Sequence, residues 1–187
     1  MDKYHPKHHY KLSFDELKQF LDAKVEQYNS IKFIETDPIQ IPHSFSKKED
    51  IEIAAFLTAT IAWGNRKSII NNAQRFMELM DNAPYDFVMT HQPQDLEVFE
   101  GFVHRTFNAI DAVQFIKSLR HIYTKYNGLE SIFNRNVKND SLQFSIHKFK
   151  TIFFEIEHLK RTQKHISDPL KNSSAKRLNM FLRWMFR

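Results

Sequence analysis

Polar entries followed by apolar residues at intervals of three and four recur along almost the whole chain. Ser13-Phe-Asp-Glu16 has the form of a capping box, and Leu17, Phe20, Leu21 and Val25 follow at helical spacing, predicting a helix to about Tyr28. FIETDPIQIPHSF carries Pro38 and Pro42 and reads as an extended connection, because proline disfavours helix at the residue before it. Ser46-Lys-Lys-Glu49 reads as a second capping box, opening IEIAAFLTATIAWG. That segment is apolar almost all round, as a central, fully surrounded helix must be, and Gly64 reads as its left-handed cap.

Asn65 caps the next helix, NRKSIINNAQRFMELM, where Ile69, Ile70, Ala73, Phe76, Met77 and Met80 form one stripe. Pro84 begins a short helix, PYDFVMT, and Pro93 another. Asn108, with Asp111 in the first turn, starts a long helix carrying Val113, Ile116, Leu119 and Tyr123 on one face, with Gly128 after its end. LESIFNRN adds a turn or two, and SLQFSIHKFKTIFFEIEHL is a further helix with Leu142, Phe149, Phe153 and Ile156 as core positions. HISDPLKNSS is a polar connection broken by Pro169. The last helix begins near Ala175, with Leu178, Phe181, Leu182 and Met185 at i, i+3, i+4 and i+7. Its second face carries Lys176, Asn179, Arg183 and Arg187. The pattern gives an all-α fold: a flexible N-terminal tail over 1–12, then one compact multi-helix domain over 13–187.

Composition narrows the chemistry. Three glycines in 187 residues argue against a turn-rich β fold and against a Gly-rich phosphate loop. The absence of cysteine excludes disulfides, thiolate metal sites and a cysteine nucleophile. No run approaches the roughly 18 apolar residues of a membrane span, and the N-terminus lacks the apolar core of a secretion signal, so the expectation is a cytoplasmic protein without a membrane partner. Of the ten histidines, His5, His8 and His9 lie in the charged tail. His43, His91, His104, His121, His147, His158 and His165 show no ligand spacing, so neither metal nor cofactor is expected.

Charge is unevenly distributed. Residues 1–116 hold 12 Lys/Arg against 17 Asp/Glu, whereas residues 117–187 hold 15 against five. Such a basic half suits a polyanion, since phosphate neutralisation supplies much of nucleic-acid affinity. Asn65, Arg66 and Lys67 at a helix start, with Trp63 just before them, form a candidate nucleic-acid contact. The same residues also suit a plain helix cap with solvated cations and a buried tryptophan. Lys171, Lys176, Arg177, Asn179 and Arg183 form a second candidate contact, equally readable as the solvated face of an amphipathic helix. Lys176, at a helix start, is the candidate amine nucleophile.

Three stretches, IEIAAFLTATIAWGNRKSIINNAQRFMELMDNAPYDFV, GFVHRTFNAIDAVQFIKSLRHIY and KRLNMFLRWM, resemble an uncharacterised bacterial family, domain of unknown function 2400, from about Asp37 onward. More distantly, AAFLTATIAWGNRKSIINNAQRFMELM is similar to the opening of helix-hairpin-helix DNA glycosylases of the endonuclease III type. The start Lys176-Arg177-Leu178-Asn179 resembles their Lys-x-x-Asn helix. That resemblance implies a DNA-binding repair domain in which Lys176 attacks the sugar C1′ of an extruded, damaged nucleotide and forms a Schiff base. It also implies an Asp about one helix and loop beyond the lysine, for which this chain has no residue, and hence a truncated chain missing a C-terminal lobe. Where those hairpins carry Gly-x-Gly, this sequence has Ser173, Ser174 and Ala175. Two other functions fit the residues: a non-catalytic module whose basic half binds nucleic acid or an acidic protein, and a structural domain whose Phe- and Trp-rich terminal helix docks on another chain.

Overall fold

The computed structural model describes residues 12–138 and 141–186, so the tail expectation, except at Leu12, and the placement of Arg187 lie outside the described residues. The described chain is helical apart from one two-stranded hairpin, so the fold is all-α. It divides into two compact units, one ending at Thr36 and one spanning Asp37–Arg187.

The first unit contains α1 (Phe14–Tyr28) and α2 (Ile31–Ile34). The capping box at Ser13 forms: Glu16 N–H donates to Ser13 Oγ at 3.3 Å, and Ser13 N–H donates to Glu16 Oε2 at 2.7 Å. Leu17, Phe20, Leu21 and Val25 share a face of α1, but all four are exposed.

The second unit is built around α4 (Lys48–Ile61), which packs against α3 (Gln40–His43), α5 (Arg66–Glu78), α6 (Pro84–Thr90) and α10 (Lys176–Trp184). Every residue of α4 from Glu52 to Ile61 is buried, as an all-round apolar helix requires. Glu52 is the charged exception: Tyr123 O–H donates to its Oε2 at 2.6 Å, and burial pushes its carboxyl above the ordinary value. Between α6 and α10 the chain runs through a 3-10 turn (Pro93–Phe99), strands β1 (Val103–His104) and β2 (Phe107–Asn108), α7 (Ala109–Tyr126), α8 (Leu129–Arg135) and α9 (Gln143–Phe153). Two further 3-10 turns, Lys160–His165 and Pro169–Lys171, lead into α10.

Phenylalanine makes the core. Phe56 of α4 meets Phe115 of α7, Phe149 and Phe153 of α9, and Phe181 of α10, with ring centroids 5.3–5.7 Å apart. A second group, Phe76, Phe99 and Phe102, joins the first through Phe107, which lies 5.2 Å from Phe115. Edge-to-face and tilted pairs dominate, as the ring quadrupoles favour.

The structure departs from the sequence reading at five places. Helix α9 ends at Phe153 rather than near Leu159, and of its expected core positions Phe149 and Phe153 are buried while Leu142 and Ile156 are only half-buried. Residues read as an extended connection hold the end of α2 and all of α3; Pro42 is accommodated because it falls in the first turn of α3, where a missing N–H costs nothing. Ser46 is not a cap: α4 starts at Lys48 with Lys47 as N-cap, whose ammonium reaches Asp86 Oδ1 at 2.9 Å. Gly64 does not close α4, which ends at Ile61; it shapes the following turn instead. The α10 stripe turns slightly, burying Leu178, Phe181 and Trp184 and leaving Leu182 and Met185 half-buried.

Candidate nucleic-acid interface

Two turns carry the candidate residues. In the first, Gly64 has φ +105°, and a Cβ there would lie 2.8 Å from Arg105 Nη1, so no other residue fits without displacing that side chain. Asn65 caps α5, its Oδ1 accepting from Ser68 N–H at 3.1 Å. Arg66 approaches Asp37 at 3.9 Å, and Lys67 is exposed on the first turn of the helix.

The second turn precedes α10. Asp168 caps the 3-10 turn Pro169–Lys171 by accepting from Leu170 N–H at 3.0 Å, and it pairs with His147 Nδ1 at 3.1 Å. Burial alone would raise the Asp168 carboxyl, but these two partners outweigh it and hold the group below its ordinary value. Asn172 (φ +57°) and Ala175 (φ +45°) then adopt the left-handed conformation. For alanine this costs about 1–2 kcal/mol and persists only where the surroundings enforce it. Here Ala175 is 1% exposed, its N–H donates to Ser173 Oγ at 3.2 Å, and Asn179 Nδ2 clamps Ser174 O at 2.9 Å. Asn179 thus braces the turn from one helical turn further on. No side chain caps the first turn of α10, and Lys171 and Lys176 stand exposed on either side of it. Arg183 is exposed further along the same helix.

Arg177 points inward and ties the two turns together. Its Nη1 donates to Thr60 O at 2.5 Å, and its guanidinium sits 4.8 Å over the Trp63 ring, a cation–π arrangement. Burial pushes its pKa down. Trp63 is half-buried, edge-on to His104 at 5.3 Å and stacked on His165 at 6.2 Å. His104 Nε2 lies 3.3 Å from Trp63 O, fixing that nitrogen as the protonated one.

Behind Trp63 lies a buried polar cluster that periodicity did not reveal. Asp111, fully buried on the first turn of α7, accepts from Thr162 Oγ1 at 3.0 Å and from Asn108 N–H at 3.1 Å. Arg161 Nη2 reaches the same carboxylate at 3.2 Å, and Arg161 Nη1 donates to Asn108 Oδ1 at 2.7 Å. His165 Nε2 comes within 3.2 Å of Asp111 but off the hydrogen-bond axis, so that buried nitrogen has no aligned partner. The 3-10 turn Lys160–His165 is what delivers Arg161, Thr162 and His165 together, and the only sequence sign of it was a basic, polar run.

Burial holds His104 and His165 below the ordinary histidine value, the Asp111 carboxylate offsetting it only in part for His165. A base depressed in the fold binds protons more readily when unfolded. Its contribution is therefore intact above the unfolded pKa of about 6.5 and is lost as the pH falls below it. In urea unfolding at pH 7.5 and pH 5, the stability lost on acidification is expected to be smaller in His165→Gln than in the parent chain. An equal loss in both would show that His165 does not titrate with folding.

Among the described residues, no three His, Cys, Asp or Glu side chains are grouped to hold a metal ion, and no helix is long and apolar enough to cross a membrane. The family model described as "Protein of unknown function (DUF2400)" matches residues 37–187, beginning where the second unit begins. No curated protein and no solved structure matches the chain.

Proposed function

This chain belongs to the DUF2400 family, and we propose that it is a DNA-binding domain of the DNA-repair kind, which grips the phosphate backbone with the turn before α10. The observation that carries this reading is the geometry of residues 171–176. Two left-handed residues turn the chain into a helix whose first N–H groups have no side-chain cap, between the exposed cations Lys171 and Lys176. Open helix N–H groups beside cations favour a phosphate oxygen. Of the three residues standing where helix-hairpin-helix proteins carry Gly-x-Gly, Ala175 is left-handed and Ser173 is not; the other left-handed residue is Asn172, so this turn enters its helix by a different spacing. Arg177 and Asn179 serve the grip from within, one holding Trp63 and the other holding Ser174. Asn65, Arg66 and Lys67 extend the contact on the Trp63 side.

Fluorescence anisotropy of duplex DNA at increasing salt tests the grip. Log affinity is expected to fall linearly with log salt, by about 0.9 per phosphate neutralised. In Lys171→Ala/Lys176→Ala the slope is expected to shrink by about two units, one per lost phosphate contact. An unchanged slope would overturn the assignment of these lysines, and absence of salt-dependent binding would overturn the DNA reading in favour of a protein partner.

Lys176 also supports a lyase step. After giving up a proton to solvent, the Lys176 amine would add to C1′ of an abasic-site aldehyde, and loss of water would give an imine that borohydride reduces to a stable adduct. Trapping in the parent chain and none in Lys176→Ala is the expected result. DNA binding with no trapping in either would reduce the assignment to a non-catalytic module.

A further inference from the structure

A cavity of about 740 Å³ lies where the end of α6 and the 3-10 turn Pro93–Phe99 meet one face of α7. Its volume is that of a small-molecule site. Its α7 wall carries Lys117, Arg120, His121, Thr124 and Lys125, which recur at helical spacing and therefore share a face. No Asp or Glu lines it. Glu155 pairs with His121 at 3.0 Å and with Lys125 at 3.5 Å, so the phosphate-binding charge of this wall rests on Lys117 and Arg120.

The opposite wall is built rather than incidental. His91 is only 6% exposed, and its Nδ1 lies 3.0 Å from both Phe87 O and Val88 O. Carbonyl oxygens only accept, so Nδ1 carries the proton, and Nε2 is the atom His91 can offer to a ligand hydroxyl. The ring is held flat against Phe87, centroids 5.8 Å apart. Arg120 is oriented in turn by donating through Nη1 to His91 O at 3.0 Å, which leaves the rest of its planar fork for an oxyanion. Pro93 and Leu96 complete the lining with apolar surface.

We propose that this cavity binds a phosphomonoester of nucleotide size, its phosphate on Lys117 and Arg120 and its less polar part against Pro93 and Leu96. Arginine in a fixed fork beside a lysine is the arrangement that recognises phosphate by shape as well as charge. The apolar patch and the anchored histidine give the rest of the molecule something to touch, which a site for a bare ion would not need. Two sources present this chemistry, a free nucleotide and the 5′-phosphate end of a nucleic acid. The site is separate from Lys171 and Lys176 and stands or falls without them.

Isothermal titration with deoxyadenosine monophosphate, and with deoxyadenosine as the phosphate-free control, tests the proposal on the whole chain. The monophosphate is expected to bind one-to-one and at least about tenfold more tightly than the nucleoside, the scale of one charge-assisted contact set. Lys117→Ala is expected to weaken the monophosphate about three- to tenfold while leaving the urea midpoint unchanged, since its side chain is exposed. Lys171→Ala/Lys176→Ala is expected to bind the monophosphate like the parent. Equal affinity for nucleotide and nucleoside, no saturable binding, or an unaffected Lys117→Ala would each overturn the proposal. Competition by a 5′-phosphorylated but not a 5′-hydroxyl oligonucleotide assigns the site to nucleic-acid ends, and competition by neither assigns it to free nucleotides.

Discussion

Asp111→Ala is expected to lower the free energy of unfolding by about 2–4 kcal/mol, the cost of leaving the buried Thr162 hydroxyl and the Asn108 N–H without their acceptor, the Arg161 charge being 35% exposed. The carboxylate is fully buried and serves Arg161, Thr162 and the Asn108 N–H at 3.0–3.2 Å, with His165 alongside. Removing it leaves the Arg161 charge without its counter-ion and the Asn108 N–H at the start of α7 without an acceptor. Against a typical stability of about 5–15 kcal/mol, the loss is large enough to shift the urea midpoint well beyond error. Asp111→Asn keeps an acceptor for Thr162 and Asn108 but not the charge, and is expected to fall between parent and alanine. The measurement is urea unfolding followed by circular dichroism with the slope held in common. A loss below about 1 kcal/mol in Asp111→Ala would mean that water replaces the carboxylate and that the cluster does not hold the hairpin to the 3-10 turn.

That cluster marks the limit of what the residues alone reveal. Thr162 and Asp111 are 51 positions apart, and nothing in the local pattern of either segment refers to the other. Asp111 was legible as an acid in a first helical turn, which it is; its partners come from a run that periodicity could only describe as polar. By contrast, α5, α6, α7 and α10 start where the sequence places them, because Asn65, Pro84, Asn108 and the Ser173–Ala175 turn act locally. Ser46 shows how a local signal loses. A capping box was available, but Lys47 is drawn to Asp86, and Asp50 Oδ1 accepts from Tyr85 N–H at 2.8 Å, so contacts with α6 set the start of α4. The candidate site divides in the same way. Lys176 and Asn179 stand exposed on α10 as their spacing places them, whereas the inward turn of Arg177 depends on Thr60 and Trp63, which only the packing of α10 on α4 brings near.

Phe56→Ala is expected to cost about 3–5 kcal/mol, the usual range for removing a buried phenylalanine. The reason lies in where the ring sits. Phe56 is fully buried on the central helix and touches Phe115, Phe149, Phe153 and Phe181, which belong to three other helices. Those neighbours are themselves large rings fixed by one another, so they cannot collapse into the space, and the cavity term is added to the lost transfer energy. Two of the four contacts are edge-to-face, worth about 0.5–1.5 kcal/mol each beyond area. Phe56→Leu keeps much of the volume and is expected to cost clearly less than Phe56→Ala. Phe186→Ala, at a ring that is 85% exposed, is expected to stay within about 0.5 kcal/mol of the parent. The three variants are compared by urea unfolding at one pH. If Phe56→Ala cost no more than Phe56→Leu, the four rings would be repacking around the gap, and α10 would not depend on Phe56 for its seat on α4. The presentation of Lys176 depends on that seat, so, on the DNA-binding function proposed above, Phe56→Ala is also expected to loosen DNA binding near its own unfolding midpoint while leaving the salt slope of the folded fraction unchanged.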